Sequence, residues 1–495
     1  MTLLCLAAIW LVGFAMVRWM FPRAVRWSLQ NVWLFSLGIG AGAGVASCLY
    51  FLVLLLAGPR VTVLVASSGA AIAMPLAIGV ALVILAAGLL TRRKGTELQW
   101  SHGPAVPWYL TAFLLLAALL AVTMFLGAVI YNPHGDEAAW SVWNLRARFL
   151  FRAAGFWRDA FSSDLTWSHT DYPLLLPGLV ALCWKLAGQE STDAPIAIAF
   201  LFAAGTAGLL VTTLGALRGK AYAWLAGTVL LGTPGYVALS AALYGDVPLS
   251  FYILATLALL CLQDRHPQDL HPQDLRFTAL AGLMAGFAAW TRNDGMMFLV
   301  ALIVARVFAV FRFGQRARLG PQLLLFLAGL AAPLAVVIAF RLRVAGPSGL
   351  LSQPASAIVK HLADPARWIV IAQGLVVVLF TFGRFLIPMI LVLALFWYLV
   401  RFQVDARDRA ALATAGIALA LTLAIQLSVD LFYVDNLPIE IGTSFERVLL
   451  QLWPAALLTF FLASGPLQLV ASNSQGKLSK EKKAGRPQRR AVETR

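Results

Sequence analysis

Apolar runs of about 17–25 residues recur from one end of the chain to the other, and they constrain its fold more than any other feature. Each run is long enough to cross about 30 Å of hydrocarbon as an α-helix. Inside a bilayer only helices and closed barrels satisfy every backbone hydrogen bond, and these runs lack the alternation of a barrel strand. With 61% hydrophobic and 12% charged residues, the sequence predicts an all-α integral membrane protein.

The apolar runs predict about thirteen transmembrane helices. They cover residues 2–17, 32–57, 62–90, 108–131, 195–217, 222–243, 246–263, 277–290, 295–311, 321–341, 368–400, 410–430 and 445–464. The first three spans and a cytoplasmic loop make up a predicted N-terminal region, 1–107, and a catalytic membrane domain is predicted over 108–464. The basic, apolar-poor tail 465–495 is predicted to be disordered.

The net charge of +16 is explained by membrane topology. If segment 132–194 lies outside, the alternate loops collect basic residues, namely Arg18, Arg23, Arg26, Arg92, Arg93, Lys94, Arg218, Lys220, Arg312, Arg316, Arg318, Arg401, Arg407 and Arg409. This positive-inside pattern predicts a multi-pass protein of the cell membrane (plasma or inner) with a cytoplasmic C-terminus. We expect contacts with membrane lipids and no nucleic-acid partner.

The predicted outer loop 132–194 contains five tryptophans in short amphipathic stretches, Trp140, Trp143, Trp157, Trp167 and Trp184. Tryptophan prefers the headgroup level, so these stretches are expected to lie along the interface as helices. The apolar run 173–186 is too short to span comfortably and is counted as non-spanning. The four cysteines have no ligand-like spacing, so neither a disulfide nor a zinc site is expected.

Three polar interruptions fall on the predicted outer side. Asp136-Glu137 follows the span 108–131, Asp246 lies in the turn LYGDVPLSFY, and TRNDG at 291–295 interrupts an apolar stretch. Ionisable groups at membrane depth usually face a cavity or a partner. Together they predict one polar pocket at the lipid–water boundary, although each one alone is compatible with an ordinary charge at a helix end.

The residue types in this pocket suit transfer from a phosphate leaving group. A carboxylate can deprotonate an acceptor hydroxyl, or it can hold a Mg²⁺ or Mn²⁺ ion that neutralises the phosphate. Arginine offers fork-shaped donors to phosphate, and Arg447, Arg292 and Arg384 are the candidates. His134 and His169 are also candidates, although isolated loop histidines are more often bystanders.

In order and spacing, these motifs resemble those of the GT-C glycosyltransferases, such as protein O-mannosyltransferases and lipid A aminoarabinose transferases. The matching segments are GDE at 135–137, YPLLLP at 172–177, GDVPLSFYILATLAL at 245–259 and AGFAAWTRNDGMMFLV at 285–300, with a fainter match at 444–454. The chain departs from the family in having three helices before the span 108–131 that leads to GDE, and no second adjacent proline in YPLLLP.

The resemblance implies a GT-C fold and a donor sugar carried on polyprenyl phosphate. It gives Asp136 the role of catalytic base or metal-binding carboxylate, with Glu137 as its neighbour and Asp246 as a second metal ligand. The expected reaction is inverting transfer to a hydroxyl of a lipid, glycan or protein at the outer membrane face. The alternative is a transporter or flippase for a lipid-linked sugar, although the sequence has neither an internal helix repeat nor a mid-span charge.

Overall fold

A computed structural model describes most of the chain. The described residues are 1–21, 25–27, 29–56, 98–99, 106–152, 154–265, 275–313, 316–347, 354–433 and 437–467. The predicted span 62–90 and nearly all of the predicted disordered tail lie outside them.

Helices account for nearly all of the described chain. They are α1 (Thr2–Met20), α2 (Gln30–Leu56), α3 (Trp108–Tyr131), α4 (Asn144–Arg152), α5 (Leu175–Ala187), α6 (Asp193–Leu217), α7 (Lys220–Leu231), α8 (Pro234–Ala241), α9 (Asp246–Arg265), α10 (Arg276–Thr291), α11 (Asn293–Phe313), α12 (Leu319–Arg343), α13 (Ala355–Ala363), α14 (Pro365–Thr381), α15 (Met389–Val400), α16 (Arg409–Tyr433) and α17 (Leu437–Ala463).

Short helical turns and one strand pair complete the described structure. A π-helical turn covers Ala139–Trp143, and 3₁₀ turns cover Ala154–Phe161, Ser163–Ser168, Arg316–Arg318, Phe382–Arg384 and Ala406–Asp408. A two-residue strand β1 (Val25–Arg26) pairs in parallel with β2 (Leu98–Gln99).

Ten helical segments of the described chain are long and apolar enough to span a membrane. The protein is therefore an all-α, multi-pass membrane protein, as the apolar runs predict. The span predicted over 222–243 is instead a pair, α7 and α8, bent by 61°. The span predicted over 277–290 is α10, a helix of 16 residues. The total of about thirteen spans stays a prediction.

Two predicted spans are interrupted where the sequence places glycine and proline. Pro234 begins α8, and it cannot continue α7 because its ring clashes with the preceding turn. The span predicted over 368–400 divides after α14, where Gly383 has a left-handed φ of 73°, and α15 begins after Pro388. Hydropathy averaged along the sequence does not reveal either interruption, because the residues on both sides of each one are equally apolar.

Segment 132–194 packs into the protein more deeply than predicted. Trp143, Trp157 and Trp184 are buried, whereas Trp140 and Trp167 are exposed. The expectation of interfacial tryptophans is therefore wrong for the three buried ones, because they pack on other protein rings: Trp143 on Tyr172, Trp157 on Phe51 and Trp184 on Phe151. The 13 residues of α5 agree with its assignment as a non-spanning helix.

All four cysteines are free, and two of them are in contact. The sulfur of Cys183 on α5 lies 3.5 Å from that of Cys5 on α1. Their separation of 178 residues gives no sequence signal of this contact.

Helices α10 and α12 cross closely through a reciprocal pair of glycines. A Cβ on Gly282 would lie 2.0 Å from the carbonyl oxygen of Phe326, and one on Gly329 would lie 1.9 Å from that of Ala279. Small residues let helix backbones approach closely in membranes, where packing drives helix association.

The substitution Gly282→Ala is expected to destabilise the protein by about 1–3 kcal/mol, because the added methyl group meets backbone that cannot move aside alone. Gly416→Ala on α16 is the control, since no described atom lies within 4 Å of a Cβ at Gly416. Thermal unfolding of the purified protein measures both. Equal midpoints for the two variants would contradict the close crossing.

Candidate functional site

A cavity of about 610 Å³ opens where the segment after α3 meets α8, α17 and the turn after α14. The charged and aromatic residues that line it are Asp136, Glu137, Trp167, His169, Tyr244, Arg384, Glu446 and Arg447. Four of the predicted site residues, Asp136, Glu137, Arg384 and Arg447, thus lie around one cavity. His169 lines it too, whereas His134 is not among the described lining residues.

The acidic wall of the cavity is formed by a sharp turn after α3. Gly135 has a left-handed φ of 72°, and a Cβ there would lie 2.6 Å from the carbonyl oxygen of Ala242. The Asp136 backbone N–H donates to the same oxygen at 3.3 Å, and Asn132 Nδ2 donates to the Gly135 carbonyl at 2.7 Å. Glycine is required because it alone adopts this φ without strain and leaves room for the close approach. The side chains of Asp136 and Glu137 remain exposed.

Asp246 begins α9 and is fully buried among positive and polar groups. Its carboxylate lies 2.8 Å from Arg292 Nη1 and 3.0 Å from Arg447 Nη2, and it accepts from Gln451 Nε2 at 2.7 Å. Arg292 also forms an ion pair with Asp294 at 2.9 Å. Two arginines and two carboxylates balance each other, which is the condition for burying such charges.

Asp246 and Arg292 do not take the positions that the sequence suggests. Neither is among the described residues that line the cavity, and both lie behind Arg447. A metal ion shared by Asp136 and Asp246 does not fit this arrangement, because two guanidinium groups occupy and neutralise the Asp246 oxygens. Among the described residues, no group of three or more His, Cys, Asp or Glu side chains is placed to hold a metal ion. The Mg²⁺ or Mn²⁺ requirement stays a prediction without support from these contacts.

Arg447 lies deeper in its helix than predicted. The helix α17 begins at Leu437, before the predicted start at 445, and Pro438 near its first turn suits a helix start. The guanidinium of Arg447 is held by the Asp246 carboxylate and by the face of Tyr244, whose ring centroid is 4.7 Å away. Burial raises the pKa of the Tyr244 hydroxyl, so this residue stays neutral beside the arginine.

Tyr172 of the YPLLLP segment connects the buried charges to the cavity. Its ring stacks on His169 at a centroid distance of 4.7 Å, and the Arg292 guanidinium lies 5.4 Å from its centroid. Burial raises the pKa of the Tyr172 hydroxyl, which therefore remains protonated at neutral pH. The ring of Tyr172 thus contacts both the buried Arg292 and the cavity-lining His169.

Arg384 lies at the interruption between α14 and α15. It has a left-handed φ of 58°, which is uncommon for a residue with a side chain. Its Nε is 3.6 Å from Oε2 of Glu446, and its side chain is 65% exposed. This arginine is therefore held much more loosely than Arg447.

Several residues of the site were not predicted from the sequence. Arg146 on α4 is buried and donates to the carbonyl oxygens of Ser168 and His169, which fixes the turn that brings His169 to the cavity. Burial lowers the pKa of Arg146 to about 10. Gln451 could have been predicted from the sequence, because it follows Arg447 by four residues and so lies on the same face of the helix.

Comparison of the chain with family models, curated proteins and solved structures found no match.

Proposed function

We propose that the chain is a membrane glycosyltransferase that moves a sugar from a polyprenyl-phosphate-linked donor to a hydroxyl acceptor. The observation that supports this most is the cavity with two opposed kinds of charge, the carboxylates Asp136 and Glu137 and the guanidiniums Arg384 and Arg447. A volume of about 610 Å³ is in the usual range for small-molecule sites. A general base and phosphate-binding groups are thus available to one bound molecule.

The proposed reaction is an inverting displacement. The acceptor oxygen attacks the anomeric carbon as the bond from that carbon to the phosphate oxygen breaks, and the acceptor proton passes to the Asp136 carboxylate. The leaving polyprenyl phosphate carries its negative charge towards Arg447 and Arg384. Inversion requires the base and the leaving group on opposite faces of the sugar. Asp136 comes from the turn after α3, whereas Arg447 and Arg384 come from α17 and the turn after α14.

Arg447 is a better-supported phosphate ligand than Arg384, because contacts on the side away from the cavity hold its guanidinium in place. Asp246 and Tyr244 contact it directly, and Gln451 donates to Asp246, so little side-chain entropy is lost when phosphate binds. Arg292 contributes indirectly by neutralising the buried carboxylate that holds Arg447. We propose that the cavity faces the outer side of the cell membrane and that the C-terminus is cytoplasmic, as the basic loops predict.

The test is sugar transfer by the purified protein in proteoliposomes, supplied with a panel of radiolabelled polyprenyl-phosphate sugars. Transfer from at least one donor to an added lipid or glycan hydroxyl is expected, with equimolar release of polyprenyl phosphate. If every donor stays intact in the presence of lipid, glycan and peptide acceptors, the glycosyltransferase proposal fails.

A transporter of lipid-linked sugars is the second candidate, and the two interrupted helices favour it. A Cβ on Gly235 of α8 would lie 3.1 Å from the Cα of Gly383, so the α7–α8 and α14–α15 breaks meet beside the cavity. Transporters often bind substrate at such breaks. Movement of an intact donor across sealed proteoliposomes, without cleavage of its sugar–phosphate bond, would favour this candidate.

A further inference from the structure

The two arginines of the cavity differ in how they are held. Arg447 contacts both oxygens of buried Asp246, at 3.3 and 3.0 Å, and packs on Tyr244. Arg384 is mostly exposed, and its described ion pair is the one to Glu446, at 3.6 Å. That distance exceeds an ordinary N–H···O hydrogen bond. One guanidinium is therefore fixed and the other is free to exchange its partner.

Glu446 has the properties of an exchangeable partner. It precedes Arg447 on α17 and lines the same cavity. Its Oε1 atom is buried and has no hydrogen-bond partner among the described residues, while Oε2 faces Arg384. A carboxylate with one unused oxygen and one long contact to an exposed arginine holds that arginine only weakly.

We propose that Glu446 holds Arg384 when no phosphate is bound and that the donor phosphate displaces it. This inference rests on the proposed function. The phosphate offers oxygens that match the fork of the guanidinium, which gives a stronger pair than the long contact to Glu446. After transfer, Glu446 competes with the polyprenyl phosphate for Arg384 and so assists its release.

A direct consequence concerns the affinity for sugar-free polyprenyl phosphate. In Glu446→Gln the competing charge is lost, so this lipid is expected to bind about 2- to 5-fold more tightly, in line with the strength of exposed ion pairs. The gain requires Arg384. In an Arg384→Gln background, Glu446→Gln is therefore expected to add nothing.

The experiment compares four full-length proteins in lipid nanodiscs: the parent, Glu446→Gln, Arg384→Gln and the double variant. Polyprenyl phosphate is the probe, and calorimetric titration gives its Kd. The cycle separates competition for Arg384 from simple repulsion between Glu446 and phosphate, because repulsion would persist without the arginine. Thermal unfolding confirms that each variant folds. If Glu446→Gln does not fold, Glu446→Ala replaces it, because it also removes the charge that pairs with Arg384 and the same gain is expected.

The outcomes distinguish this inference from the proposed function. Tighter binding by Glu446→Gln that disappears in the double variant supports the competition. Parent binding with no gain in Glu446→Gln, or a gain that survives Arg384→Gln, overturns the competition alone. A parent protein that does not bind polyprenyl phosphate at all overturns the proposed phosphate site and this inference together.

Discussion

Replacing Asp136 by asparagine is expected to reduce sugar transfer by about 10²–10⁴-fold, the range for loss of a general base. The amide retains the size of the side chain but cannot accept the acceptor proton. Folding should be unaffected, because the side chain is exposed and its one described hydrogen bond is a long contact of 3.4 Å from Asn132. The measurement is the initial rate of transfer in proteoliposomes at saturating donor.

Glu137→Gln is the matched control for Asp136→Asn. Both substitutions remove one exposed carboxylate from the same cavity wall, so they change its electrostatic potential equally. A large fall in transfer rate for Asp136→Asn with a small fall for Glu137→Gln would identify Asp136 as the base. The reverse ranking would transfer the role to Glu137, and two mild losses would contradict a base on this wall.

The substitution Asp246→Asn is expected to destabilise the protein by about 3–5 kcal/mol, as is typical when a buried ion-pair network loses one partner. The buried guanidinium of Arg292 and the partly buried one of Arg447 would be left with one carboxylate fewer. Thermal unfolding in detergent should show a large fall in the midpoint. Transfer by the protein that still folds should fall as well, because Arg447 loses the group that fixes it.

Asp405→Asn is the matched control for the buried aspartate. Asp405 also pairs with an arginine, Arg265 at 3.8 Å, but its side chain is 54% exposed, and exposed pairs contribute little. We expect almost no change in its unfolding midpoint. If Asp246→Asn were as stable as this control but inactive, Asp246 would act in the chemistry and not as a support for Arg447.

The sequence predicts the class of the protein and the acidic wall of its site for physical reasons. Apolar length reports membrane helices directly, and an acid pair after a span must lie near the membrane surface. The role of Asp246 was not predictable in the same way. Its partners are 46 (292 − 246) and 201 residues further along the chain, and only the packed bundle brings them together. A carboxylate at a helix start therefore has the same sequence pattern whether it binds a substrate or supports an arginine.

The tryptophans show a second limit of sequence reasoning. A preference for the headgroup level describes residues that face lipid, and Trp167 is exposed. Trp143 faces protein instead, and a Cβ on Gly245 would lie 2.7 Å from its ring. Which face of a short helix meets protein depends on neighbours such as α2, and these neighbours lie far away in the sequence.

The burial of Asp246 at the start of α9 has a consequence for how the protein is made. This helix emerges from the ribosome with Asp246 at one end, but Arg292 follows only after α10, and Arg447 comes only with α17. Until α17 is inserted, the Asp246 carboxylate has only one of its two arginines. The face of α9 that packs on α17 is also uncovered until then. Assembly of the cavity thus waits for α17, and a nascent chain released before α17 would lack the fixed arginine.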